Sequence, residues 1–341
     1  MLDPMRYLFL GAGAVGGTIG GRLHQSGHDV VLVARGPHLA ALRKDGLHLT
    51  TPDGARLLPV PAIGGPEEID LRPDDVLVLT VKTQHSTALL DQWAPRPVAG
   101  GGTAGERLPL VCAQNGVENE RLALRRFARV YGMRVWLPCT HLEPGRVSAA
   151  GAPRSGVLHV GRYPQGTDSL VEQLSADLTA SFFDAPVTDR VMEWKYAKLL
   201  SNLGNALEAV GGPIDGELRT ALWERVQEEG RAVLAAAGIE YPSAEEQRAR
   251  RGDRVTLMPL AGVERGGGSS WQSLTRGTGD IETDWLNGEI VLLGRLHDVP
   301  TPLNSALQQL SGAFAREGRA AGSLPEADLA ALLDLHHRIT D

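Results

Sequence analysis

Tyr7-Leu8-Phe9-Leu10 runs without a break into Gly11-Ala12-Gly13-Ala14-Val15-Gly16-Gly17, and the rest of the chain falls into place around this stretch. Four apolar residues in a row have the length and character of a buried strand. The glycines that follow have separate tasks. Gly11 permits a tight turn, Gly13 lets a pyrophosphate approach the backbone, and Gly16 allows a helix to pack closely on the strand. Val15–Gln25 carries the small and apolar residues of a crossover helix, whose free N–H groups would face the phosphates. A Gly-x-Gly-x-x-Gly pattern is weak alone and gains force from its place after a strand and before a helix. It predicts a dinucleotide-binding turn built from Gly11, Ala12, Gly13, Ala14, Val15 and Gly16.

Outward from that turn, Asp29–Val33, Asp75–Val81 and Leu108–Cys112 are apolar for most of their length, as buried parallel strands are. Alternation of such strands with helical segments predicts a doubly wound parallel sheet. Gly100–Gly105 reads as a glycine-rich surface loop, and Val157–Val160 as an extra strand among turn residues. From Asp189 onward the pattern becomes helical. Val191–Val210, Leu218–Ala237 and Ile281–Leu296 space their apolar residues by three and four, and the glycine-rich Gly262–Ser269 leads into another helix candidate. The expected fold is α/β: an N-terminal Rossmann-type doubly wound parallel sheet over residues 1–188, then a C-terminal all-helical domain over 189–341.

A chain of 341 residues is long enough to bury two cores. Its net charge of −7 argues against a general nucleic-acid binder, which needs a basic face. Cys112 and Cys139 have neither a disulfide framework nor metal-ligand spacing; they read as small buried thiols of a reducing cytoplasm, and no metal is expected. Tyr7–Leu10 is too short for a signal-peptide core, and no apolar run approaches membrane-spanning length. The expected partner is therefore a small molecule, not nucleic acid or membrane. The helical part offers apolar surface for a homodimer without settling the assembly.

The end of the second strand selects the nicotinamide cofactor. An acid there would hold a ribose 2′-hydroxyl. This chain instead has Val33-Ala34-Arg35-Gly36, and its nearest acid, Asp29, sits at the opposite end of the strand. Arg35 suits a 2′-phosphate through a forked, charge-assisted contact, which favours NADPH over NADH. Lys82 follows the third strand on the same ligand-facing edge, and Asn115 follows the fourth. By position alone a solvated lysine and an ordinary Asn-Gly turn remain equal readings of these two.

Reduction of a ketone by hydride leaves an oxyanion that needs a proton, and so a general acid. Trp194–Asn205 supplies candidates. On a continuous helix turning about 100° per residue, Lys198, Asn202 and Asn205 share a stripe about 60° wide on an otherwise apolar surface. Polar residues in such a seam need partners or a cavity. Lys195 is a rival that angle alone does not exclude; Lys198 lies nearer both asparagines along the axis. Downstream, Ser269-Ser270 precedes a helix bearing Glu282, Asp284 and Asn287; by pattern Ser270 reads as a helix cap and Glu282 as a surface residue.

These segments together resemble the ketopantoate reductase family (2-dehydropantoate 2-reductases) over nearly the full length. The resemblance is carried by Gly11–Gly17, Arg35, Val81-Lys82-Thr83, Gln114-Asn115-Gly116, Trp194–Asn205, and Ser269-Ser270 with Glu282-Thr283-Asp284-Trp285-Leu286-Asn287-Gly288. It implies NADPH-dependent reduction of a 2-oxo acid, 2-dehydropantoate in pantothenate biosynthesis, with a helical domain like the C-terminal part of 6-phosphogluconate dehydrogenase. It implies Lys198 as general acid with Glu282 beside it, reaching both substrate and cofactor. Asn202, Asn205, Ser270 and Asn115 would bind substrate, Asn115 also touching the nicotinamide. Arg35 and Lys82 would hold the adenosine phosphate. Two places depart from the family pattern. Ser273-Leu274 stands where the family usually has Gln-Asp, and Ala206 stands where its second asparagine falls, with Asn205 one position earlier. Both bear on which 2-oxo acid is taken. The cofactor and catalytic residues fall on different domains, so the site is expected in a cleft that closes on ligand.

Overall fold

Tyr7, Leu8, Phe9 and Leu10 are fully buried in the strand Arg6–Leu10, an inner strand of a seven-stranded sheet. The computed structural model describes residues 5–260, 267–277 and 279–340. The chain divides into two units. The first comprises Met1–Lys195 and Ser243–Glu264, the second Tyr196–Pro242 and Arg265–Asp341.

In the first unit, Arg6–Leu10 pairs in parallel with Asp29–Val33 on one side and Asp75–Leu79 on the other. Ala62–Ile63 extends the first side. Pro109–Cys112 and Arg129–Trp136 extend the other in parallel, and Val157–Arg162 closes that edge antiparallel. The expected strands are all present. Their buried runs suit a sheet covered on both faces, one core around Phe9, Ile19, Val78 and Val111 and the other around Leu8, Leu77, Trp93 and Leu110. Strand order reverses between Leu10 and Leu79, which are register partners. Ligands of open α/β sheets bind beyond the carboxyl ends of strands at such a reversal. A second, four-stranded sheet includes Leu47–Thr51 and Arg146–Ala149 and packs on the crossover helix Ala14–Gln25.

Gly100–Gly105 is not wholly a surface loop. Thr103 starts a capping box with Glu106, and Ala104 and Gly105 are buried in the short helix Ala104–Arg107. A Cβ on Gly105 would lie 2.3 Å from the Arg126 carbonyl oxygen, so close approach of backbone demands glycine there. Cys112 is buried as expected, whereas Cys139 is only half-buried. Val255–Leu257 departs from the helical reading of the second half: it forms a strand paired with Gly151–Pro153 in the first unit.

The second unit is helical. Val191–Val210 is not one helix but two, Val191–Asn202 and Gly204–Gly211, joined at Leu203. Leu203 keeps right-handed helical angles (φ −60°, ψ −29°), but its N–H reaches back only three residues to Leu200. Ile281–Leu296 likewise divides into a 3₁₀ turn, Glu282–Trp285, and an α-helix, Asn287–Leu296, with Leu286 at φ −114° and ψ −85°. The long helix Gly216–Ala236 is continuous. Ser269–Thr275 is a helix of its own, while residues 262–266 of the glycine-rich run lie outside the described residues. Among the described residues no helix is long and apolar enough to cross a membrane.

Candidate active site

The glycine turn is held by backbone and by one hydroxyl. Gly11 adopts φ +119°, a left-handed angle that disfavours other residues. Its N–H reaches the carbonyls of Phe9 and Val33, and its carbonyl accepts from Thr80 Oγ1 at 2.6 Å. A Cβ on Gly16 would sit 1.9 Å from Gly11 O and 2.5 Å from Thr80 Oγ1, so helix and strand meet only because Gly16 lacks one. Above Gly13 the space is open, with nothing within 4 Å of a Cβ built there. Gly13 is also the N-cap of Ala14–Gln25 and offers no side-chain cap. A close-packed underside, an open upper side and uncapped helix N–H groups fit a bound pyrophosphate. Ala12, Ala14 and Val15 belong to the same turn and helix start.

A residue that sequence reasoning missed supports this turn from the side. His38 Nδ1 accepts from the Gly145 N–H at 2.8 Å, which leaves Nε2 as the proton-bearing nitrogen donating to Ala12 O at 2.8 Å. Burial pushes the His38 imidazole down from its ordinary value, consistent with a neutral ring in that bridge.

Arg35 lies at the expected end of the second strand, as N-cap residue of Gly36–Asp45. It is exposed, and its guanidinium makes no hydrogen bond or ion pair among the described residues. Asp29, at the far end of the strand, is paired with Arg72 at 3.2 Å. Lys82 is half-buried where the single turn Thr83–His85 begins. Asn115 is half-buried before Gly116, which adopts φ +78°. The loops carrying Lys82 and Asn115 are laced together. Gln114 Nε2 donates to Val81 O (2.6 Å) and Ser86 Oγ (3.0 Å), and Ser86 Oγ donates to Asn119 Oδ1 (2.7 Å). Asn119 Nδ2 donates in turn to Thr83 Oγ1 (3.0 Å) and Asn115 O (3.4 Å). Ser86 and Asn119 carry no motif that marks them; only their convergence does.

Of the two rival lysines, Lys195 is accounted for within the first unit. Its ammonium forms an ion pair with Glu120, both side chains being essentially inaccessible. Burial pushes the Glu120 carboxyl up, and Lys195 draws it part of the way back. Trp194 beside it stacks on His159 with ring centroids 3.8 Å apart. Lys198, one turn further, is half-buried in the second unit and engaged with other groups.

The stripe expected of Lys198, Asn202 and Asn205 does not follow from a regular helix, because Leu203 breaks the hydrogen-bond ladder between the asparagines. Asn202, only 3% exposed, closes the first helix with Nδ2 lacking any partner among the described residues. Asn205, on the second helix, gives its Nδ2 to Ser269 Oγ at 3.2 Å. The start of Ser269–Thr275 is held by Glu208 Oε2, which accepts from the Gly268 N–H at 2.8 Å. Gly268 is the N-cap there, so Ser270 is not the cap expected of it. Its hydroxyl is buried (1% exposed) and without a partner among the described residues. Glu282 is no surface residue either: it is 8% exposed, and it is engaged with other groups. Ser273 is buried with Oγ donating to Ser269 O (2.9 Å). With Leu274, Phe314 and Arg319 it lines a cavity of about 40 Å³.

Residues 7–165 match the family model described as Ketopantoate reductase PanE/ApbA, and residues 190–315 match Ketopantoate reductase PanE/ApbA C terminal. The chain is similar to a 2-dehydropantoate 2-reductase of Pyrococcus horikoshii, with 26% identity over 333 residues, 94% of this chain and 100% of that one. A solved PanE/ApbA family ketopantoate reductase from Ralstonia eutropha JMP134 is 28% identical, covers 92% of this chain and 100% of its own, and gives a TM-score of 0.76. A ternary structure of D-mandelate dehydrogenase with NADH and anilino(oxo)acetate covers 93% and 100% at a TM-score of 0.77; at 20% identity it shares the fold.

Proposed function

The chain belongs to the ketopantoate reductase family, and we propose that it reduces 2-dehydropantoate to pantoate, a step of pantothenate biosynthesis, with NADPH as reductant. The observation that carries this reading is two buried polar atoms without a partner among the described residues, Asn202 Nδ2 and Ser270 Oγ, in the unit that holds Lys198 and Glu282. Buried polar groups are ordinarily satisfied, so two that are not, in the same unit as the family's lysine and a buried carboxylic side chain, suit a small polar ligand.

When bound, NADPH supplies the hydride that converts the C2 carbonyl to an alcohol. The Gly11–Gly16 turn binds its pyrophosphate. Arg35, whose guanidinium has no hydrogen bond or ion pair among the described residues, holds the 2′-phosphate together with Lys82; the same position would give NADH nothing to distinguish it. Asn115, fixed by the Gln114–Ser86–Asn119 lattice, orients the nicotinamide and the substrate carbonyl. Ser270 donates its hydroxyl hydrogen to the substrate carboxylate. Lys198 Nζ gives up a proton to the C2 oxygen and is reprotonated from solvent, while the Asn202 amide donates to the same oxygen. Glu282 accepts from Lys198 or from a substrate hydroxyl and keeps the ammonium directed. Asn205, already bonded to Ser269, acts on substrate by holding the double-serine segment.

The reading is tested by following NADPH absorbance with 2-dehydropantoate beside a panel of other 2-oxo acids, phenylglyoxylate among them. Preferred turnover of 2-dehydropantoate is expected. Preference for another acid would keep the chemistry and move the substrate, with Ser273 and Leu274 as the first positions to exchange. Dissociation constants for NADPH and NADH check the cofactor; equal affinities would overturn the role of Arg35.

A further inference from the structure

A chain of buried amides crosses the second unit and ends on the helix break beside Asn202. It begins at Glu229 on the helix Gly216–Ala236. The Glu229 carboxylate accepts from the backbone N–H groups of Leu303 and Asn304 at 2.9 and 3.0 Å, and from Asn304 Nδ2 at 2.8 Å. Asn304 Nδ2 also donates to Val226 O at 3.1 Å. Both of these partners are acceptors, so Asn304 must turn its amide nitrogen toward them and its Oδ1 away. That oxygen accepts from Asn287 Nδ2 at 3.0 Å, and the same nitrogen donates to Leu203 O at 3.0 Å. The orientation of every amide is thus dictated by acceptor-only groups at both ends. Asn287 and Asn304 are fully buried.

Leu203 is the single residue between the two helices, next to Asn202 on one side and Gly204 on the other. Gly204 lets the Trp223 ring approach to where a Cβ would meet it at 2.6 Å. Trp223 therefore seats the break from one direction, and Asn287 holds its carbonyl from another. Asn287 Oδ1 itself has no partner among the described residues. An apolar residue at 287 would take this donor from two buried acceptors, Leu203 O and Asn304 Oδ1, so the amide ties the junction to the Asn304–Glu229 pair even with its own oxygen unmet.

We propose that Asn287 is a positioning residue for the substrate site: with Asn304 and Glu229 it fixes the break at Leu203, and thereby the direction in which Asn202 presents its amide. This rests on the reading that Asn202 serves the C2 oxygen of the substrate. Without Asn287 the Leu203 carbonyl loses its donor from outside the two helices, and the junction is free to shift, carrying the adjacent Asn202 with it.

The test pairs a spectrum with a kinetic cycle. In protein made with isotope-labelled asparagine, the Asn202 side-chain amide resonance is assigned by its loss in Asn202→Ala. Asn287→Ala is expected to shift that resonance, and to lower kcat for 2-dehydropantoate by roughly tenfold or more while the NADPH dissociation constant holds. In an Asn202→Ala background the same substitution is expected to lower kcat by less than about twofold, because the two act through one group. An unmoved Asn202 resonance, or equal losses of kcat in both backgrounds, would overturn the proposal. Should Asn287→Ala not fold, Asn287→Ser retains one donor and is read by the same resonance. If the wild-type enzyme turns over no 2-oxo acid, the functional reading fails while the resonance still decides the role of Asn287.

Discussion

Lys195 and Glu120 form a buried ion pair one helical turn ahead of Lys198, which takes one of the two candidate lysines out of contact with solvent. Breaking such a pair leaves a desolvated charge, whereas replacing both partners with apolar residues of similar size is often neutral. Glu120→Ala should therefore destabilise the protein by about 3–5 kcal/mol in denaturant unfolding. Glu120→Leu combined with Lys195→Met should recover most of that loss and keep turnover near wild type. A folded double variant that lost turnover as completely as a Lys198 variant would move the general acid to Lys195.

Gly16 and Gly13 separate packing from ligand binding. Gly16→Ala drives a Cβ into the Gly11 carbonyl, a backbone atom that cannot step aside cheaply, so the turn must open. Thermal unfolding should occur at lower temperature and NADPH affinity should fall by roughly tenfold or more, equivalent to about 1.4 kcal/mol. Gly13→Ala meets no protein atom and should leave unfolding unchanged, yet still weaken NADPH, because the methyl occupies the approach to the backbone. Unaltered affinity in Gly13→Ala would place the pyrophosphate elsewhere.

His159 is a source of acid sensitivity. Neither ring nitrogen has a partner among the described residues. Burial first, then the charges of Arg134 and Arg250, bring its pKa down to about 2. The unfolded chain takes up a proton near pH 6.5 and the folded one does not, so stability is full above that value and falls as pH drops below it. Between pH 7 and pH 5 this amounts to about 2 kcal/mol. His159→Phe, which keeps a ring against Trp194, should lose less stability than wild type over that interval in urea unfolding. Equal losses in the two proteins would mean that His159 titrates normally.

The sheet was legible because its strands are apolar runs and its glycine turn combines spacing with context. Leu203 was not, and the reason is physical. Leu199, Leu200, Leu203, Ala206, Leu207 and Val210 keep a helical period straight through the break, and all are buried. Nothing in that run marks the break, and the groups that meet it lie elsewhere in the sequence: Asn287 at the Leu203 carbonyl and Trp223 over Gly204. The same holds for Glu282, whose 3₁₀ turn interrupts a good helical pattern at Leu286. Ser270 read as a cap because hydroxyls commonly are, but the nearby Glu208 supplies the bond at Gly268 and leaves the serine unused. His38, Ser86 and Asn119 act through partners up to 107 residues away in sequence, and single residues of common types carry no trace of that.

Lys198 is the residue proposed to protonate the product oxygen. The direct measurement is single-turnover oxidation of NADPH by 2-dehydropantoate in wild type and Lys198→Ala, with NADPH dissociation constants for both. With Lys198 as the acid, the rate should fall by at least about a hundredfold while the NADPH constant stays essentially unchanged. A Lys198→Ala enzyme that reduced 2-dehydropantoate within a few-fold of wild type would contradict it.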